Sequence, residues 1–359
     1  MRSVDEWSRH CESLRKLFQE NVYGMWPGSP EVVISTRVSV HAGAGADVSL
    51  IELELTEPLG RLSPLHLLLA APSQVDGPLP CLLGLNFSGN RSVLEGESTG
   101  GRVPWPVSEV LQRGYLLASI HASEIVADNP ARAESDLARV RRDAGSHRQR
   151  TDTATIMAWA FGLSCAVSAL RREDFVAGNR IAVFGHSRLG KAALLAAAMD
   201  TRIAAVISSQ SGCGGAAPWR VPPELREPRA DGRPAVETLE SIVGEFPHWF
   251  AHALSEYLGR ADQLPLEQSD LMALCAPRPL LLTNAADDMW AFPAGQYRTL
   301  LAAWNAYRLL DPEVPNLPDK MPIADETVGG RLGWFMRPGG HGVCWRDWRA
   351  WLSFADQWL

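Results

Sequence analysis

The 359-residue chain lacks the features that several function classes need. It has no long apolar run: the most apolar segments reach roughly 10 residues, where a transmembrane helix needs about 20. It has no excess of positive charge. The formal net charge of −7 argues against nucleic acid or an anionic membrane as partner, since both need a basic face. Its six cysteines, Cys11, Cys81, Cys165, Cys213, Cys275 and Cys344, include no C-x-x-C pair, so they are expected as free core thiols. Histidines are scattered with no H-E-x-x-H cluster, so no metal site is expected. Internal repeats and low-complexity tracts are absent. The opening "MRSVDEWSRHCESLRKLFQE" has no apolar core, only the helical spacing of Trp7, Cys11, Leu14, Leu17 and Phe18. With no secretory signal visible, the expectation is a soluble monomer, cytoplasmic as it reads and periplasmic or secreted if a leader has been removed.

What is present is ordinary globular composition, 46% hydrophobic and 21% charged, enough for a large core in one domain over 1–359. An N-terminal helix over about 4–22 ends at the breaker-rich "YGMWPGSP", so 1–30 form a helix and turn. Strands are predicted in "EVVISTRVSVHA", "ADVSLIELELTE" and "LSPLHLLLAAP"; the alternation in "SLIELELTE" predicts a half-exposed, antiparallel strand. "LPCLLGLNF" (79–87) reads as a buried central strand. After it, helices and buried strands alternate: helix "VSEVLQRGY", strand "YLLASIHA", helix 152–170, strand 181–184, helix 188–198 and strand 203–208. An irregular region over 211–265 follows, then strand 279–283, helix 294–310, strand 332–337 and helix 345–358. Buried strands alternating with helices predict a mostly parallel sheet covered on both faces. The antiparallel start followed by βα units outlines the α/β-hydrolase fold, a three-layer αβα sandwich. Residues 211–265 are too long for a plain connection and are expected as an insertion over the site.

"IAVFGHSRLGKAALLAAAMD" supports two chemistries. Gly185, Gly190 and Lys191 have phosphate-loop spacing, but that loop needs a hydroxyl after its lysine to hold magnesium, and Ala192 stands there. The other reading is a nucleophile elbow: strand, sharp turn, helix, with Ser187 at the apex. The helix beginning at Ser187 would offer free N–H groups and its dipole to a developing oxyanion. The general G-x-S-x-G pattern is displaced, with Leu189 where glycine is expected and Gly190 one later. A plain turn therefore stays open on this motif alone. The other members of a triad come in the right order. Asp287 and Asp288 follow a strand in "NAADDMWAFP", and His341 lies in "PGGHGVCW" before the last helix. Asp288 is favoured as the acid because it lies nearer the loop apex; Asp287 is its rival.

The strings "GHSRLGKAAL", "SGCGGAAPWR", "ETLESIVGEFPHWF", "APRPLLLTNAADDMWAFP" and "GGHGVCWRDW", with "FQENVYG" and "GLNFSGN" upstream, resemble the glucuronoyl esterases (4-O-methyl-glucuronoyl methylesterases). That family hydrolyses esters between glucuronic acid on xylan and alcohols of lignin, by a serine acyl-enzyme and without a cofactor. The resemblance implies Ser187 as nucleophile, His341 as base and then acid, and Arg188 as an oxyanion donor. It implies Lys191, Glu237, Glu245 and Trp290 as residues that bind the sugar. The bland readings stay beside these: Lys191 and the two glutamates, eight apart and near one helix face, as solvated surface, and Trp290 as core. In much of the family a glutamate before "SG" is the triad acid; here that place holds Gln210. Fungal members have cysteines where this chain has His186 and Gly342, so their disulfide is not expected. An esterase of other carbohydrate esters, such as acetyl-xylan, and a catalytically impaired carbohydrate-binding relative are the alternative functions.

Overall fold

The structure, a computed structural model, describes residues 4–39, 48–95, 105–141, 149–226 and 234–359. Ten strands among them form one sheet: β1 (Val33–Ser39), β2 (Val48–Thr56), β3 (Leu65–Pro72), β4 (Leu79–Asn86), β5 (Leu116–His121), β6 (Val176–His186), β7 (Ala205–Ser209), β8 (Leu280–Ala285), β9 (Thr327–Gly329) and β10 (Leu332–Arg337). Their order is β1-β2-β3-β5-β4-β6-β7-β8-β10-β9. β1, β2, β3 and β5 pair antiparallel, whereas β5, β4, β6, β7, β8 and β10 run parallel. β9 adds an antiparallel edge. The last residues of the first expected strand, 40–42, and the first of the second, 46–47, lie outside the described residues.

Period-2 alternation decides which layer each strand side chain joins. In β6, Ile181 and Val183 enter the core cluster on one face, and Ala182 and Phe184 enter the cluster on the other. The first face carries the helices Thr155–Leu170, Arg188–Met199 and Pro293–Leu310; the second carries Val107–Gln112 and Trp345–Trp358. Every residue of Thr155–Leu170 is buried, as its lack of a polar stripe requires. It packs against Arg188–Met199, the helix that follows the candidate nucleophile. β2 has the half-exposed pattern its alternation predicts, with Leu53 and Leu55 buried and Glu52 and Glu54 partly exposed. All six cysteines are free, four of them buried. No helix among the described residues is long and apolar enough to cross a membrane.

Two expectations need correction. The segment 211–265 is not irregular throughout: it contains the helices Pro223–Arg226, Leu239–Glu245 and His252–Ser255, with 227–233 outside the described residues. The N-terminal helix is regular only over Val4–Phe18; Gln19–Tyr23 widen into a π turn that buries Asn21, Val22 and Tyr23.

Candidate active site

Ser187 stands between β6 and the helix Arg188–Met199, with φ 58° and ψ −130°. A non-glycine residue is rarely held at positive φ unless its surroundings impose it. Here the Ser187 N–H donates to the Ser209 carbonyl at 2.8 Å, and the Gly190 and Lys191 N–H groups donate to the Ser187 carbonyl at 2.9 and 3.2 Å. Gly185 makes the tight turn possible: a Cβ there would sit 2.2 Å from the Leu189 carbonyl oxygen. The displaced glycine is also accounted for, since a Cβ on Gly190 would crowd the Gly185 and Ser209 carbonyls at 3.0 and 3.1 Å.

His341 lies in the turn after β10, and its Nδ1 is 2.7 Å from Oδ2 of Asp288, in the turn after β8. Asp288 is buried and its other oxygen accepts the Ala291 N–H at 3.3 Å. Asp287 points away: exposed, it pairs through its backbone and carboxylate with Gly339 at 3.0 and 3.2 Å. Gln210, after β7, reaches the same turn from the other side. Its Nε2 donates to the Gly342 carbonyl at 2.7 Å, and its Oε1 accepts the Gly342 N–H at 3.0 Å. Gln210 thus grips the backbone beside His341, while Asp288 holds the ring. The His186 ring packs 4.6 Å from that of His341, where the disulfide is not expected.

A cavity of about 200 Å³ brings Ser187, Arg188, Lys191, Gln210, Glu237, Glu245, Trp290 and His341 together, joined by Phe246 and Trp249. Lys191 is not solvated surface. It is buried, and its Nζ donates to the Cys213 carbonyl and to Glu237 Oε2, the latter at 3.1 Å. An ammonium has three donors, and these two acceptors use two of them. Glu237 also accepts the Cys213 N–H at 2.8 Å, and its own N–H donates to the Trp290 carbonyl at 3.0 Å. Burial pushes the Glu237 carboxyl up, outweighing the Lys191 charge and the hydrogen bonds that pull it down. The close approach needs Gly212, at φ 56°, where a Cβ would lie 2.6 Å from Glu237 Oε2. The two glutamates do not share a helix face. Glu237 precedes the Thr238 N-cap, and exposed Glu245 ends that helix. Among the described residues, no group of three or more His, Cys, Asp and Glu side chains could hold a metal ion.

Arg188 leads to residues that the sequence did not single out. Its Nη1 donates to Asp128 Oδ2 at 2.7 Å, and its guanidinium lies over the rings of Phe87 and Trp249, 5.2 and 5.5 Å from their centroids. Asp128 Oδ1 accepts Trp249 Nε1–H at 2.7 Å and is 3.0 Å from His248 Nε2. Phe246 stacks on Trp249 at 3.8 Å. Three aromatic residues of "FPHWF", Phe246, His248 and Trp249, thus shape this wall. Asp128 precedes Asn129, whose side chain accepts the first amides of the next helix, so "DNP" looks like a helix start and nothing more.

A serine at a strained strand-to-helix elbow, a histidine in the turn after β10 and a carboxylate behind it define the class: a hydrolase of the α/β-hydrolase fold. Residues 99–311 match the family model "Glucuronyl esterase, fungi". The chain is 31% identical to carbohydrate esterase MZ0003 from an unknown prokaryotic organism, over 99% of this chain and 85% of that one. It is 26% identical to the 4-O-methyl-glucuronoyl methylesterase of Hypocrea jecorina, over 85% of this chain and 58% of that protein. The solved glucuronoyl esterase of Solibacter usitatus superposes with a TM-score of 0.85 at 26% identity, covering 99% of this chain and 94% of that one. The chain belongs to the glucuronoyl esterase family and is a carboxylic ester hydrolase.

Proposed function

We propose that this chain hydrolyses esters of glucuronic acid, with Ser187 as nucleophile, His341 as base and Asp288 as the acid of the triad. The observation that carries the reading is the 2.7 Å contact of Asp288 with His341 Nδ1, behind a cavity that Ser187 and His341 share. Asp288 fixes the tautomer that leaves Nε2 free as base and stabilises the imidazolium. Ser187 Oγ attacks the ester carbon as His341 takes its proton. The carbonyl electron pair moves onto oxygen, toward the Arg188 guanidinium and the first free N–H groups of its helix. Collapse expels the alcohol, which takes the proton from His341 and leaves a uronyl ester on Ser187. Water, deprotonated by His341, then adds to that ester; collapse expels Ser187 Oγ, which takes the proton back from His341, and releases the uronate. Lys191, Glu237 and Glu245 supply a donor and acceptors for sugar hydroxyls, and Trp290 supplies a flat apolar wall.

The test compares benzyl glucuronate with its galacturonate analogue and with an acetylated xylo-oligosaccharide. Preferred turnover of the glucuronate is expected, together with covalent labelling of Ser187 by a phosphonate. Preferred release of acetate would replace the substrate class, and an unlabelled Ser187 without turnover would leave a binding protein.

A further inference from the structure

We propose that Asp128 is a positioning residue for ester hydrolysis, tethering the Arg188 guanidinium at the wall of the active-site cavity with its remaining Nη N–H groups left for the oxyanion. The inference rests on the oxyanion role given to Arg188 above. Arg188 is shared by two cavities: the one with Ser187, and a second of about 240 Å³ lined by Phe87, Ser88, Ser123, Asp128 and Trp159. An arginine between two open spaces has several rotamers within reach. Among the described residues, the 2.7 Å bond to Asp128 and the nearby Phe87 and Trp249 rings choose among them. Asp128 is itself held: its second oxygen is met by the Trp249 indole and His248. The tether uses one of the five guanidinium N–H groups. Nε is buried without a hydrogen-bond partner, so the donors left for an oxyanion are those on the two Nη atoms. A displacement of about 1 Å in such a group can cost on the order of 10²-fold in rate, which is why a tether matters.

The experiment is a double-mutant cycle on kcat and KM with benzyl glucuronate, using Asp128→Asn, Arg188→Ala and the double variant, with folding checked by circular dichroism. Asp128→Asn is expected to lower kcat about tenfold or more, with KM changed less than about threefold, and to cost almost nothing once Arg188 is alanine. A merely structural Asp128 would give the same loss in both backgrounds, and that additivity would overturn the proposal, as would a loss confined to KM. If Asp128→Asn does not fold, the cycle is run with Asp128→Glu, which keeps the charge but shifts it by one methylene; the same non-additivity is expected, and additivity overturns the tether. An Arg188→Ala variant with unchanged kcat would overturn the oxyanion role itself. A costly Arg188→Ala beside a harmless Asp128→Asn would overturn the tether alone.

Discussion

Two cation–carboxylate pairs flank Ser187, one turn apart on the same helix, and they differ in almost everything but charge. Lys191–Glu237 is sealed, with side chains 4% and 8% exposed; Arg188–Asp128 is partly open, at 29% and 24%. A sealed pair has given up its water, so each charge depends on the other and on the Cys213 peptide that both touch. The half-open pair keeps contact with solvent and with a planar cation that can meet a second acceptor. Similar chemistry thus gives a closed post on the expected sugar side and, on the expected oxyanion side, a tethered cation that still faces solvent.

The largest effect is expected at a third carboxylate, which sharpens the contrast. Asp288 is as buried as Glu237, but its partner is an imidazole that gains and loses a proton in the proposed mechanism. Asp288→Asn is expected to lower kcat at least ~10²-fold, because the amide brings no charge to the imidazolium. Gln210→Ala should cost far less, since Arg337 Nη2 also holds the Gly342 carbonyl, at 2.7 Å. Steady-state kinetics decide; a harmless Asp288→Asn would leave His341 without an acid.

Next come the pairs themselves. Lys191→Met strands a buried carboxylate and is expected to destabilise the protein by about 3–5 kcal/mol, read by urea unfolding, whereas Lys191→Met with Glu237→Leu should recover much of the loss. Equal stability of the single and double variants would break the idea of a sealed post. Arg188→Lys should leave the melting temperature within about 2 °C, as expected of a half-open pair. Its kcat should fall about tenfold or more, because the oxyanion exists only near the transition state. A rise in KM alone would make Arg188 a ground-state binder instead.

The legible part of the site is the part that local order encodes. Ser187 sits where an apolar strand run meets a helix former, and Asp288 and His341 each follow a strand in the chain order the fold uses. The displaced Gly190 is unexplained in one dimension and simple in three, where its missing side chain admits two carbonyls. The choice between Asp287 and Asp288 turned on which way adjacent turn residues point, which spacing alone does not decide. Asp128 was invisible. It lies 60 residues from Arg188 in sequence, beside an Asn–Pro helix start that accounts for the local pattern. For Glu237 and Glu245 it is the bland reading that fails: their spacing suits one helix face, but the helix begins only at Leu239 and both line the cavity.

The smallest expected effect separates the two pairs by sign. Burial raises the Asp128 carboxyl, but the His248 and Trp249 hydrogen bonds and the Arg188 charge outweigh it and hold it below the ordinary aspartate value. Such a group contributes stability that is complete well above the unfolded pKa of about 4 and is lost as pH falls through the folded value, because the unfolded chain takes up its proton first. Glu237 is raised, so between its unfolded value of about 4.3 and its folded one the native state binds more protons than the unfolded. Its contribution is therefore complete below the unfolded value and is lost as pH rises through that window. Urea unfolding of the wild type between about pH 3 and 7, beside Asp128→Asn and Glu237→Gln, reads both slopes. Asp128→Asn should flatten the decline of stability below about pH 4, and Glu237→Gln should remove a decline that begins just above it, whatever either substitution does to the overall height of the curve. Parallel curves for all three proteins would mean that neither carboxylate is perturbed by folding, and the contrast between a sealed pair and an open one would lose its electrostatic content.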